Sequence, residues 1–529
     1  MGLGVIESSR SALPRGTTRV GVKEISEETH ELDSAKRVGT TVLSPQPSDD
    51  PNDPLNWSPK WRWAHLFVLA FGSALANAGT TMLNPGLELL TESIGSNAAD
   101  VGTWILTAPT FWQSAAAFFC VAGSDIWGRR SFYFWSTVLL AASNFFSYMS
   151  KTFPMLAVAR TASGIFSAPL FTLATASISD IFFLHQRGKA IAMWNLALNG
   201  GAQIGQVLAG VVTDALGVDA NFLITAFMWT AMVPVVYFTI FESAYFKRDT
   251  ENVTMISGSP NKLANEYDEV DMKASIQPPK RSYRQELALS RGKLSQKSFF
   301  KGVIKPLGLL SHPIVIYNCF INAILFALLA GMTTILSILL SSAPYDLPPT
   351  QIGLTNLPPF LVGLVASPLF GWMSDASVSF MARKNKGIAE PEFRLALFLL
   401  AIPLTMVGLL GLGIAFDGGY PVVWILVWMT VTNVGAAGGI GIAIAYLIDC
   451  LPEHSAQAFS TINMAAAAFV TVGISPIIAW LETAGPLIVF GCMAAALALI
   501  TAVGIPFYVF GKKIRAWYDS IPWTQRLLD

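Results

Sequence analysis

Twelve stretches of about 20 mostly apolar residues recur along this chain, at 64–84, 101–122, 131–149, 154–180, 190–212 and 221–245, then 313–340, 352–374, 395–416, 422–448, 456–481 and 487–511. A bilayer core of roughly 30 Å needs about 20 such residues per helix. Lipid offers backbone N–H and C=O groups no water to bond, so a crossing segment has to bond internally. An all-α integral membrane protein of twelve transmembrane helices, in two groups of six, is therefore expected. Charged residues make up 13% of the 529, against about 25% in soluble domains. Lys plus Arg and Asp plus Glu both number 34, which leaves no basic surface for nucleic acid.

The expected division is a disordered cytoplasmic arm over 1–62, a six-helix bundle over 63–245, a solvated cytoplasmic linker over 246–312, a second bundle over 313–511 and a cytoplasmic tail over 512–529. The arm is rich in Ser, Glu and Pro and has no signal-peptide core; order is expected from Asp53-Pro54-Leu55-Asn56-Trp57. Lys and Arg are retained on the cytoplasmic side in short loops. Of 34 such residues, 32 fall on the side shared by both termini and the linker. Both ends are therefore expected in the cytoplasm, where the sequons at Asn56 and Asn252 escape glycosylation.

Arg160 lies about six residues into the fourth apolar run, where a charge needs water or a partner. Two readings stand: lining a hydrated cavity, or bonding neighbouring carbonyls. In the fifth run, Gly201, Gly205 and Ala209 form a small-residue seam for close helix packing. Asn195, Asn199, Gln203 and Gln206 share a different arc about 80° wide, suited to a cavity or to a partner helix. Asn77, Thr81 and Asn84 in the first run, Asn318 and Asn322 in the seventh, and Asn433 and Tyr446 in the tenth complete a neutral polar set.

The chain reads Gly123-Ser124-Asp125-Ile126-Trp127-Gly128-Arg129-Arg130 between the second and third runs, and Gly371-Trp372-Met373-Ser374-Asp375 recurs 250 positions later. An Asp at a helix end beside a Gly turn and two Arg can bridge helix ends through charge-assisted bonds. In a twelve-span chain this repeated segment resembles the loop motif of the major facilitator superfamily. Arg160 with Gly164 resembles that superfamily's fourth-helix motif. The Asp53–Trp57 opening, Phe241-Glu242-Ser243-Ala244-Tyr245, Glu390-Pro391-Glu392-Phe393-Arg394-Leu395 and Phe510-Gly511-Lys512-Lys513-Ile514-Arg515 resemble its fungal drug:proton antiporter-1 group. The fifth helix is similar to the antiporter motif, with Gln206 where Pro is usual and Ala209 where Gly is usual. The resemblance implies the major facilitator fold, two six-helix bundles with inverted repeats and alternating access, and a gating loop of Asp125, Gly128, Arg129, Arg130, Gly371 and Asp375. It also suggests Asp125 as proton carrier.

No Asp or Glu sits at mid-depth of any apolar run, so a neutral or anionic substrate, paired with Arg160, is favoured over a strong cation. His30, His65, His185, His312 and His454 show no metal-ligand spacing, the four cysteines form no CxxC pair, and no GxxxxGK[ST] loop is present. No metal, cofactor, membrane-enzyme chemistry or ATP-driven pumping is expected. The expectation is a monomeric secondary transporter in a fungal plasma membrane, exporting a small organic compound against protons. Uptake of a polyamine, organic acid or vitamin is the alternative.

Overall fold

A computed structural model describes residues 5, 17–19, 37–38, 41–42, 47–48, 50–245, 280–295, 298–451 and 455–521. Its long helices are α1 (Pro59–Thr81), α2 (Ala98–Trp127), α3 (Arg130–Met149), α4 (Phe153–Ile181), α5 (Leu184–Leu216), α6 (Val218–Thr239), α7 (Pro313–Ser341), α8 (Leu357–Lys384), α9 (Phe398–Asp417), α10 (Val422–Cys450), α11 (Ser455–Ala484) and α12 (Pro486–Asp519). Ten of the twelve are long and apolar enough to cross a membrane by hydropathy alone, and α3 and α5 fall short. The reason in α3 is a row of buried hydroxyls and amides that bond within the helix: Thr137 Oγ1 donates to Tyr133 O at 2.8 Å and Asn144 Nδ2 to Leu140 O at 2.8 Å. In α5 it is the polar stripe.

Helix pairing repeats with an offset of six. Helix α1 packs on α5 as α7 packs on α11, α2 on α4 as α8 on α10, and α3 on α6 as α9 on α12. Each half closes its own apolar core, one around Leu69, Leu170 and Trp229, the other around Ile321, Leu409 and Phe490. The start of α1, the end of α12 and residues 280–295 and 298–312 lie at one end of the helices, called the linker face; the other end is the far face.

Several expected boundaries move. Helix α1 starts at Pro59 rather than within the first apolar run, because Pro fits a first helical turn and Ser58 before it is extended. Parts of the 1–62 arm are structured: Thr18–Arg19 pair antiparallel with Ile388–Ala389, and Ser48 N donates to Asp53 Oδ2 at 3.0 Å. The tail expected from 512 is helical to Asp519, since Lys512 and Arg515 find acidic partners described below. The linker holds helices at Tyr283–Glu286 and Phe299–Gly308; Asn252 lies outside the described residues.

Candidate functional site

At the far face the two halves touch. Asn84, at the end of α1, donates from Nδ2 to Thr333 Oγ1 of α7 at 2.9 Å, and its carbonyl accepts from the Ser337 hydroxyl. Thr350 N, at the start of the α8 region, donates to Asp214 Oδ2 of α5 at 2.9 Å, and Thr471 Oγ1 of α11 to Thr107 O of α2 at 3.1 Å. Gly210 meets the Pro349 backbone, and Gly353 the backbone of Gln206 and Val207. A side chain at either glycine would force α5 away from the short helix Pro349–Leu354 that precedes α8.

The α5 stripe leads away from this seal. Gln206 is buried beside Gly353, and Gly210 shares its arc at 100° per residue. Toward the linker face the ring of Phe360 reaches Gly200, and beyond it Asn195 and Asn199 on the same arc are exposed, Asn199 Nδ2 donating to Asn195 O at 2.9 Å. Between them Gln203 holds a buried Oε1 with no protein partner. On the other side of α5, Gly201 and Gly205 meet Ala74 and Ala78 of α1 so closely that a Cβ would clash, and Ala209 is buried. Asn77 bridges the same pair, Nδ2 donating to Leu198 O at 2.8 Å, and Thr81 Oγ1 to Ala202 O at 3.1 Å. Asn433 is half-buried and bonds Met429 O at 2.9 Å, with exposed Ala437 and Gly441 on its face of α10.

Other candidates stand elsewhere than a hydrated cavity. Arg160 is 2% exposed and donates to Ile105 O, Gly79 O and Thr80 O at 3.2, 2.9 and 3.2 Å. The carbonyl alternative thus describes it in this conformation: the ends of α1 and α2 cover it. Ile105 belongs to a π-helical stretch, Val101–Thr107, whose wider turn leaves carbonyls for outside donors. Asn318 and Asn322 are buried inside the second half, bonding Ile314 O and Asn318 O at 3.0 Å each. Tyr446 is fully buried, about 140° around α10 from Asn433. These three correct the sequence expectation, because periodicity fixes a face but not the rotation of the helix.

The gating-loop residues are at the linker face. Gly128 has φ +87°, and a Cβ there would strike the Glu242 carboxylate. That carboxylate instead accepts from Arg129 N at 2.9 Å and Arg130 N at 3.2 Å. The Arg129 guanidinium pairs with Asp180 at the end of α4. Arg130 donates to Ile240 O and Tyr237 O at 2.7 and 2.8 Å, and to Glu286 O and Leu287 O of the linker at 2.9 and 3.1 Å. Asp125 lies half-buried nearby. In the second half Asp375 pairs with Arg394 at 2.8 Å, and Arg394 also with Asp449 at 2.6 Å, whereas Gly371 has open space around it. Acidic positions therefore recur at matching helix ends: Asp180 and Asp449, Asp125 and Asp375.

Glu242, Glu390, Glu392, Arg394, Lys512 and Arg515 entered the sequence reading only inside motifs. Glu390 and Glu392, 2% and 0% exposed, meet Lys512 at 2.7 Å and Arg515 at 2.9–3.1 Å, and Thr17 of the arm donates to Glu390 Oε2 at 2.7 Å. Two acids before α9 set against two bases on α12 was the available signal.

Residues 69–408 match the family model described as the Major Facilitator Superfamily. The chain is 26% identical to Protein HOL1 of Saccharomyces cerevisiae, with 90% of each chain covered. It is 22% identical to Efflux pump radE of Floropilus chiversii over 96% of this chain and 90% of that one, and 24% identical to MFS transporter cpaT of Aspergillus oryzae over 88% and 90%. With that match running from α1 into α9 and helix packing repeated between the halves, the chain belongs to the Major Facilitator Superfamily, as a multi-pass membrane transporter of small molecules and not an enzyme.

Proposed function

We propose that this transporter is a proton-coupled exporter of a small, neutral or anionic organic compound, resident in the plasma membrane with both termini cytoplasmic. The observation that carries the reading is the α5 arc, sealed against the Pro349–Leu354 helix before α8 at Gln206 and Gly210 and exposed at Asn195 and Asn199 toward the linker face. Polar amides facing lipid would be expensive, so this exposed stretch belongs to the space between the halves. A far face closed by Asn84, Thr333, Asp214 and Thr350, with Asn195 and Asn199 exposed on the other side, suits a conformation that loads from the linker face. The bias of 32 of 34 Lys and Arg to the segments that the sequence assigns to one side supports that side's being cytoplasmic, and the relative radE, an efflux pump by name, supports export.

Counterflow in proteoliposomes tests the carrier, since labelled compound is driven in by unlabelled compound inside. An imposed pH gradient across the same vesicles tests coupling and direction. Asn199→Ala is expected to change which compounds compete while leaving cysteine accessibility at the linker face as in the parent chain. Unchanged competition by both Asn199→Ala and Asn195→Ala would remove the α5 site.

A further inference from the structure

Helix Phe299–Gly308 leads into α7 and takes no part in the seal or the α5 arc. Its residues divide by angle. Gly302, Pro306 and the following Leu309 turn inward: a Cβ on Gly302 would sit 3.0 Å from the Ala122 methyl of α2, Pro306 O accepts from Thr461 Oγ1 of α11 at 2.6 Å, and Leu309 is fully buried. Phe300, Ile304 and Leu307 lie on the other side, within about 60° of one another, and are exposed by 74%, 61% and 41%. Lys301 and Lys305 stand on the flank between the two faces, with Lys301 exposed.

The exposed apolar face is continuous with a lipid-facing surface. The Phe299 ring lies 5.7 Å from Trp127 and 6.4 Å from Phe119, both on α2 and both exposed. An amphipathic helix with aromatic and aliphatic residues on one face and Lys beside it sits in the headgroup boundary of a leaflet. We propose that Phe299–Gly308 is an interfacial helix of the linker-face leaflet, with Phe300, Ile304 and Leu307 among acyl chains and Lys301 and Lys305 against the headgroups of anionic phospholipid. The helix touches α2 of one half and α11 of the other. It therefore follows any movement that changes their separation, and bound anionic lipid biases the opening of this face by its differential affinity for the two states.

The test places a bimane probe at Phe300→Cys, in a full-length chain with Cys120, Cys319, Cys450 and Cys492 replaced by Ser, in phosphatidylcholine vesicles containing phosphatidylserine. Position 300 is exposed, so the variant retains the contacts of Gly302 and Pro306. Shallow nitroxide lipid is expected to quench the probe and aqueous iodide is not. Nitroxide on phosphatidylserine is expected to quench several-fold better than nitroxide on phosphatidylcholine, in line with the attraction of juxtamembrane Lys to anionic lipid. In Lys301→Gln/Lys305→Gln that ratio falls to near one. Quenching by iodide, or by neither reagent because protein covers the face, overturns the proposal. So does equal quenching by the two nitroxide lipids in the chain that keeps both lysines.

Discussion

At the linker face of the first half, the acid Glu242 lies just beyond α6 and is held by the backbone N–H groups of Arg129 and Arg130, while Arg130 spends its guanidinium on carbonyls, two of them from the linker. In the second half the sign is reversed: the acids Glu390 and Glu392 precede α9, the bases Lys512 and Arg515 are on α12, and contact is side chain to side chain. Peptide groups hold Glu242 and the Arg130 guanidinium, two of them from the linker, so moving the linker changes this cluster. The second is buried and forked, and Arg515 reaches both carboxylates at once. Buried ion pairs add little net stability against apolar replacements, yet removing one partner is costly. The second cluster is therefore built to stay intact, and the first to respond.

The largest expected effect is in the second half. Arg515→Ala leaves Glu390 and Glu392 buried and is expected to destabilise the protein by about 3–5 kcal/mol, read as a large fall in the thermal unfolding midpoint of purified protein. A loss similar to that of an exposed pair would show that the network is hydrated. Glu242→Gln comes next. It turns charge-assisted bonds into neutral ones at a cost of about 1.5–3 kcal/mol, and labelling of a cysteine beside Gly128 should rise with it. If labelling stays at the parent level while stability falls, the first cluster is as rigid as the second. The smallest effect belongs to Asp375→Asn, because Asp375 has a side chain 73% exposed and Arg394 keeps Asp449. About 0–1 kcal/mol is expected, with reduced dependence of linker-face accessibility on salt; an effect as large as that of Glu242→Gln would make the two halves equivalent.

The twelve helices were legible as runs of about 20 mostly apolar residues, a pattern that needs no knowledge of neighbours, although α3 and α5 fall short of a span by hydropathy alone. Helix ends were not. Lys512 and Arg515 have the composition of a solvated tail, and only the fold brings Glu390 and Glu392 against them. The α5 arc and the glycine seam were visible as periodicity, and the α1–α5 and α5–α8 contacts fall on those two faces. For Arg160 the sequence offered two outcomes, and in this conformation its guanidinium bonds the carbonyls of Gly79, Thr80 and Ile105, which come from other helices. Asn318, Asn322 and Tyr446 show the limit most plainly: a polar residue on an apolar helix declares that it needs a partner, but not whether that partner lies inside a half or between halves.

The arm that pairs Thr18–Arg19 with Ile388–Ala389 returns to the first half by Ser48 and Asp50, which bond Asp53 and Tyr245. A two-residue ladder between separate molecules would not survive in solution. Here both strands belong to one chain, so the pairing is intramolecular. The ladder then forms independently of protein concentration, and with it Thr17 brings its hydroxyl onto Glu390, so the arm of the first half supplies a partner to the acidic pair of the second.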